Sequence, residues 1–231
     1  MLDDLGFFEL LNVNPGKAYR RDFDENEYTV LPLLSCTSTD GEKIAGITKR
    51  LSQMALLFQQ DPLIYGAMTE AAYNSCLHAY PPNHKYRFRP LRQRWWATAS
   101  WSVTANEVRF LVYDQGVGIA ATLPRWDRFE QILGLLSAIS GPAQPIIKDH
   151  SRMIEAALEV SRTSLGGGHG QGLQDVVRPI DAYGKGKLRI LSGKGAILYE
   201  AGGKVTRTEH TLHLGGTLIE WTIPVDAEDL E

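Results

Sequence analysis

Cysteine is nearly missing from this chain: only Cys36 and Cys76 occur in 231 residues. That excludes a disulfide framework and a multi-cysteine zinc site, and it suits a reducing compartment. Positive charge is not in excess, with 24 Lys and Arg against 27 Asp and Glu and a net charge of −3. Nothing in that balance favours nucleic acid or an anionic membrane. No apolar run approaches the ~18 residues a membrane-spanning helix requires. The opening MLDDLGFFELL carries acids where a secretory signal would carry Lys or Arg. Internal repeats and low-complexity tracts are lacking too. With 43% hydrophobic and 22% charged residues, the composition is that of an ordinary globular protein. The expectation is a soluble cytoplasmic protein whose partners include neither nucleic acid nor membrane.

Glycine breaks this pattern of scarcity. Five fall within Ser164-Leu-Gly-Gly-Gly-His-Gly-Gln-Gly-Leu173, although glycine gives up more backbone freedom on folding than any other residue. A linker, a tight turn and a backbone cradle for phosphate share that composition. The rest of the chain has to decide among them.

Residues 27–35 suit a strand, at an edge because Pro32 cannot donate to a ladder. Periodicity predicts an amphipathic helix over 48–60 and another over 62–79. The second opens on Asp61-Pro62 and stops at Pro81-Pro82. Runs 93–103 and 107–113 read as a hairpin turning at Thr104-Ala105-Asn106. Residues 120–163 are helical in pattern, over 125–140 and 150–162, with a break at Gly141-Pro142. A helix over 171–183 follows the glycines despite Pro179. Strands are expected at 187–192, 196–200 and 217–224, with a fourth over 208–214. The predicted fold is an α+β two-layer sandwich, a mixed, mainly antiparallel sheet with helices on one face. Residues 1–47 read as an N-terminal extension without an assigned role, and 48–231 as the domain.

Four stretches carry chemistry. In Glu70-Ala-Ala-Tyr-Asn74-Ser-Cys-Leu-His78 the residues Glu70, Asn74 and His78 share one helix face. A carboxylate and a carboxamide so stacked can hold a hard cation and orient a nucleophile; a solvated polar stripe looks the same. Asp114-Gln-Gly116-Val-Gly118-Ile119 follows a hydrophobic strand. Its aspartate can accept a hydrogen bond from an exocyclic amine while the glycines admit a flat ring, or all three simply make a turn. The glycine cluster runs into a helix, whose first N–H groups suit phosphate oxygens. It is neither a P-loop nor a dinucleotide fingerprint, since no Gly-Lys-Ser/Thr follows and no strand precedes it. Gly215-Gly216-Thr217 opens the last strand.

Taken in order, these stretches resemble the ATP-binding domain of the superfamily that includes gyrase, heat-shock chaperone ATPases, histidine kinases and mismatch-repair ATPases (the Bergerat fold). The resemblance spans residues 48–224. It implies ATP and Mg²⁺ as cofactors, Glu70 as the general base or water-orienting acid, and Asn74 as the Mg²⁺ ligand. It implies that Asp114 reads the adenine amine, with Gly116, Gly118 and Ile119 forming the pocket. Gly166, Gly167, Gly168, His169, Gly170, Gly172 and Leu173 would wrap the phosphates and end an ATP lid over 119–172, and Thr217 would help to hold adenine.

Glu70 through Tyr80 is similar to the EAxxNAxxHAY helix of anti-sigma-factor serine kinases. That implies a kinase or ATPase acting on a partner protein, or alternatively an ATP-gated switch that regulates a partner without phosphotransfer; a homodimer is also admitted. Residues 119–165 are longer and more helical than the lid of those small kinases. No His-Glu-Leu/Ile-Pro phosphoacceptor helix precedes the site, so autophosphorylation in cis is not expected. His78 and His169 are secondary candidates for phosphate contacts, as are Arg125, Arg128 and Lys148. Six histidines without ligand spacing do not make a metal site. Arg87, Arg89, Arg92 and Arg94 beside Trp95, Trp96 and Trp101 are read as a strand with a solvated face and buried tryptophans.

Overall fold

In Trp95-Trp-Ala-Thr-Ala-Ser-Trp-Ser102 every second side chain, Trp95, Ala97, Ala99 and Trp101, is buried. That period of two marks a strand with one face on a core. The computed structural model describes residues 28–52, 62–84, 86, 90, 92–140, 148–163 and 172–226. In chain order the elements are β1 (Tyr28–Val30), β2 (Leu34–Cys36), α1 (Gly41–Ser52), α2 (Pro62–His78), β3 (Trp95–Ser102), β4 (Glu107–Asp114) and α3 (Ile119–Thr122). A 3-10 turn (Leu123–Arg125), α4 (Phe129–Ser140), α5 (His150–Thr163) and α6 (Leu173–Tyr183) follow. The chain then forms β5 (Lys187–Ser192), β6 (Gly195–Glu200), β7 (Lys204–Glu209) and β8 (Thr217–Pro224).

The strands lie in the order β1-β3-β4-β8-β5-β6-β7, and β2 shares with β1 the outer edge of β3. Among the described residues every strand pairing is antiparallel, so the parallel element implied by a mixed sheet is not seen. Tight turns join β3 to β4, β5 to β6 and β6 to β7, and such turns permit only antiparallel neighbours. The chain is an α+β fold with helices on one face of an antiparallel sheet. Buried Trp95, Phe110, Ile190, Tyr199 and Trp221 of the sheet share one apolar core with Ile64, Met68 and Ala71 of α2, Ile154 and Leu158 of α5, and Val176 and Ile180 of α6. On the opposite sheet face Trp96, Leu111, Tyr113 and Leu218 are only half-buried.

Several boundaries differ from the sequence reading. The single strand over 27–35 is two short ones, broken around Pro32. Helix α1 starts at Gly41 rather than 48, because Asp40 Oδ1 accepts the Lys43 N–H at 3.2 Å and so caps the helix. Positions 53–61 lie outside the described residues. The expected boundary at 47/48 falls inside α1, and β1 and β2 belong to the same sheet as the rest. The helix over 125–140 starts only at Phe129, as α4, after a short helix and a 3-10 turn containing Pro124. The strand over 208–214 lies earlier, as β7. Gly202 and Gly203 turn the chain back sooner, and the segment after β7 instead bonds the β5–β6 turn through Leu214 N–H to Gly193 O at 2.7 Å. No helix among the described residues is long and apolar enough to cross a membrane.

A second apolar cluster, including Leu123, Ile132, Leu136, Met153 and Ala157, joins the 119–140 segment to α5. Much of the expected lid is therefore packed helix. The start of β8 is pressed against the end of β4: a Cβ on Gly216 would sit 1.9 Å from the Asp114 carbonyl oxygen, and Gly216 has φ +130°. Gly216→Ala should lower the free energy of unfolding by about 3 kcal/mol or more. Urea unfolding checks this; a change below about 0.5 kcal/mol would mean that the close approach is not required.

Candidate functional site

Asp114 ends β4, in register with Trp95 on one side and Thr217 on the other. Period two turns it toward the helices along with Val108, Phe110 and Val112, so a carboxyl group sits where an apolar side chain would be expected. It is 6% exposed. Ser75 Oγ, from the buried side of α2, donates to Asp114 Oδ2 at 3.0 Å. The Gly116 N–H donates to Oδ1 at 2.8 Å. Burial pushes the carboxyl up to about 6 from its ordinary 3.8, against the opposing hydrogen bonds from Gly116, Ser75 and Thr217.

A cavity of about 530 Å³ opens above this carboxyl, within the range of small-molecule sites. Asp114 and Thr217 line its polar part, Val112, Ile119, Leu123, Leu173 and Ile219 its apolar walls, and Glu70, Asn74 and His78 the flank formed by α2. The Asn74 side-chain amide donates to Glu70 Oε1 at 3.1 Å, which leaves the Asn74 carbonyl oxygen for another partner. Burial raises the Glu70 pKa, the nearby Asp175 carboxylate raises it further, and the Asn74 bond opposes both. At the exposed end of the row, partial burial lowers the pKa of His78. A row of acid, amide and imidazole thus leads outward from a buried acceptor.

The two glycines after Asp114 do different things. Gly118 lines the cavity. Gly116 is required elsewhere, since a Cβ there would lie 2.4 Å from both Cβ and O of Ala79 at the end of α2. The turn is held by the Val117 N–H to Ala79 O at 2.9 Å. Ile119 lines the wall, and its N–H donates to Ser192 Oγ at 2.7 Å. Ser192 and Thr217 exchange a hydroxyl bond of 2.9 Å.

Of the glycine cluster, Gly172 and Leu173 line the cavity; Gly166, Gly167, Gly168, His169 and Gly170 lie outside the described residues. Among the described residues no side chain caps α6 at Gly172; the Asp175 N–H donates to Gly172 O at 3.2 Å, and the N–H groups before it have no partner within the helix. Arg125 lines the cavity, whereas Arg128 stands 5.9 Å from the centre of the Trp126 ring and Lys148 is exposed. Trp95 and Trp101 are buried as a strand reading requires, and Arg94 donates to Ser35 Oγ at 2.6 Å. Arg87 and Arg89 lie outside the described residues.

Four residues around the site escaped the sequence reading: Ser75, Tyr80, Asp175 and Ser192. Tyr80 accepts the Gln115 N–H at 2.9 Å and donates to Arg94 O at 2.6 Å, which anchors the turn after Asp114. Ser75 and Tyr80 stood in plain view on the Glu70 helix, but their partners are 39 and 35 residues away. Asp175 and Ser192 carry no local signal at all.

Because folding raises the Asp114 pKa, the native state binds its proton more tightly than the unfolded chain does. This group's contribution is therefore full below pH about 4, is lost as pH rises toward 6 and is flat above, a change on the order of 3 kcal/mol. Wild type should lose stability relative to Asp114→Asn across that window in urea unfolding. Parallel pH profiles would show that the carboxyl is not buried as described. No protein-family model and no curated protein matches this sequence, so the functional reading rests on the residues and their arrangement.

Proposed function

We propose that this chain binds Mg²⁺·ATP in a Bergerat-type fold and transfers the γ-phosphoryl group to a Ser or Thr of a partner protein, or to water. One observation carries the reading: Asp114 is a buried acceptor in a cavity whose walls Val112, Ile119, Leu123, Leu173 and Ile219 make apolar. That arrangement suits a flat heterocycle with an exocyclic amine, because the amine donates to the carboxylate while the ring faces cover Ile119 and Leu173. The order of the motifs supports it, since Glu70, Asn74, Asp114, Gly118, Gly172, Leu173 and Thr217 all line one cavity.

The triphosphate would then run past Asn74 and the N-terminal end of α6. Among the described residues no group of three or more His, Cys, Asp or Glu forms a metal cage. An amide oxygen at Asn74 beside a carboxylate fits Mg²⁺, which binds through one or two protein oxygens together with substrate phosphates. There the cation would offset charge on the phosphates. Glu70, with its pKa raised by burial, would accept or orient the proton of the attacking hydroxyl or water.

A specific feature also favours the ATP-gated switch. Ile119 and Leu173 pack against both apolar clusters and line the cavity. A nucleotide held between them ties the 119–140 segment to the main core, so its presence would bias how a partner sees that segment.

Two substitutions test the reading. Asp114→Asn should weaken ATP binding by at least ~10-fold in calorimetry; unchanged affinity would overturn the adenine assignment. Glu70→Ala should hold ATP within a few-fold of wild type yet abolish phosphate transfer to a co-purified partner and release to water. Turnover equal to wild type in that variant would remove Glu70 from the chemistry.

A further inference from the structure

Ser161 sits near the end of α5 and is 1% exposed. Its hydroxyl is buried without a hydrogen-bond partner among the described residues. Helical serines ordinarily bond the carbonyl one turn back or point into water, and a buried hydroxyl left unpaired costs stability. Alanine would occupy the same space without that cost, so folding alone does not account for the oxygen.

Its surroundings supply a use. Ser161 lines the cavity that Asp114 also lines, and Ala157, one turn earlier on the same face of α5, lines it as well. Ala157 belongs to the second apolar cluster with Leu123, and Ile119 and Leu173 pack against that cluster. A single hydroxyl in an apolar wall suits the base or ribose of a nucleotide. Ala157, Leu123, Ile119 and Leu173 carry no side-chain donor, so this part of the cavity suits a nucleoside more than a triphosphate.

We propose that Ser161 is a nucleotide contact, its hydroxyl pairing with a polar atom of the nucleoside from an element that carries none of the sequence motifs. The proposal rests on the ATP reading above and adds a second polar anchor to it. Asp114 holds the ligand from the sheet, and Ser161 holds it from α5. The bound nucleoside thereby satisfies an oxygen that has no partner among the described residues, and part of the binding energy comes from that relief.

The test uses the full chain, with Ser161→Ala compared with wild type by calorimetry with ATP and by thermal melting without ligand. The variant should bind ATP ~5–10-fold more weakly while its ligand-free midpoint equals or exceeds that of wild type. A serine needed only for structure would do the reverse, lowering the midpoint and sparing the affinity, and that result would overturn the proposal. If Ser161→Ala binds as wild type does while Asp114→Asn has lost binding, the Ser161 contact falls and the nucleotide reading stands. If wild type does not bind ATP, both fall together.

Discussion

A carboxylate taken out of water must be surrounded by donors or accept a proton, and Asp114 imposes that constraint on this fold. Its partners come from three separate places: Ser75 on α2, the Gly116 turn and the first residue of β8. The last two are positioned by close approaches that a larger residue would prevent. The turn passes within contact of Ala79 because residue 116 is glycine, and β8 begins against the Asp114 carbonyl because residue 216 is glycine. The donors do not cancel the desolvation, so burial still raises the carboxyl's pKa.

The cavity also has a place in the energetics of the whole chain. Two apolar clusters form, one between the helices and the sheet and one beneath 119–140, and Ile119 and Leu173 touch both. An occupant covering those two residues would add apolar contact to both clusters at once. Binding would therefore be linked to how firmly the second cluster is attached, without requiring any loose flap. The packed α4 and α5 make this more apt than a mobile lid extending over the whole of 119–172.

Legibility followed the range of the interactions. The β3–β4 hairpin and strands β5 and β8 could be read because alternation and turn residues are local signals, and Pro62 marked the start of α2. Pattern failed where a cap or a turn outweighed it, as when Asp40 started α1 early and Gly202-Gly203 moved β7. Within the site, the Glu70 and Asn74 pairing follows from helical spacing alone, and the structure shows the two side chains bonded. Ser192 was not legible, because its bonds to Ile119 and Thr217 join residues 73 and 25 positions away. Gly116 was assigned to the pocket, whereas its contact is with a helix end that no local pattern places beside it.

The amino-acid sequence by itself determined which side chains were available and in what order: an acid and an amide one helical turn apart, an aspartate closing a hydrophobic strand, and glycines on either side of the helices. Those are consequences of periodicity and backbone freedom, which act over a few residues. The tertiary structure alone decided that Asp114 would be buried, that Ser75 and Thr217 would reach it, and that Ser161 would face the same cavity with its hydroxyl unpaired among the described residues. Burial and hydrogen-bond demand depend on what the rest of the chain brings alongside. That is settled only when sheet and helices close over a common core.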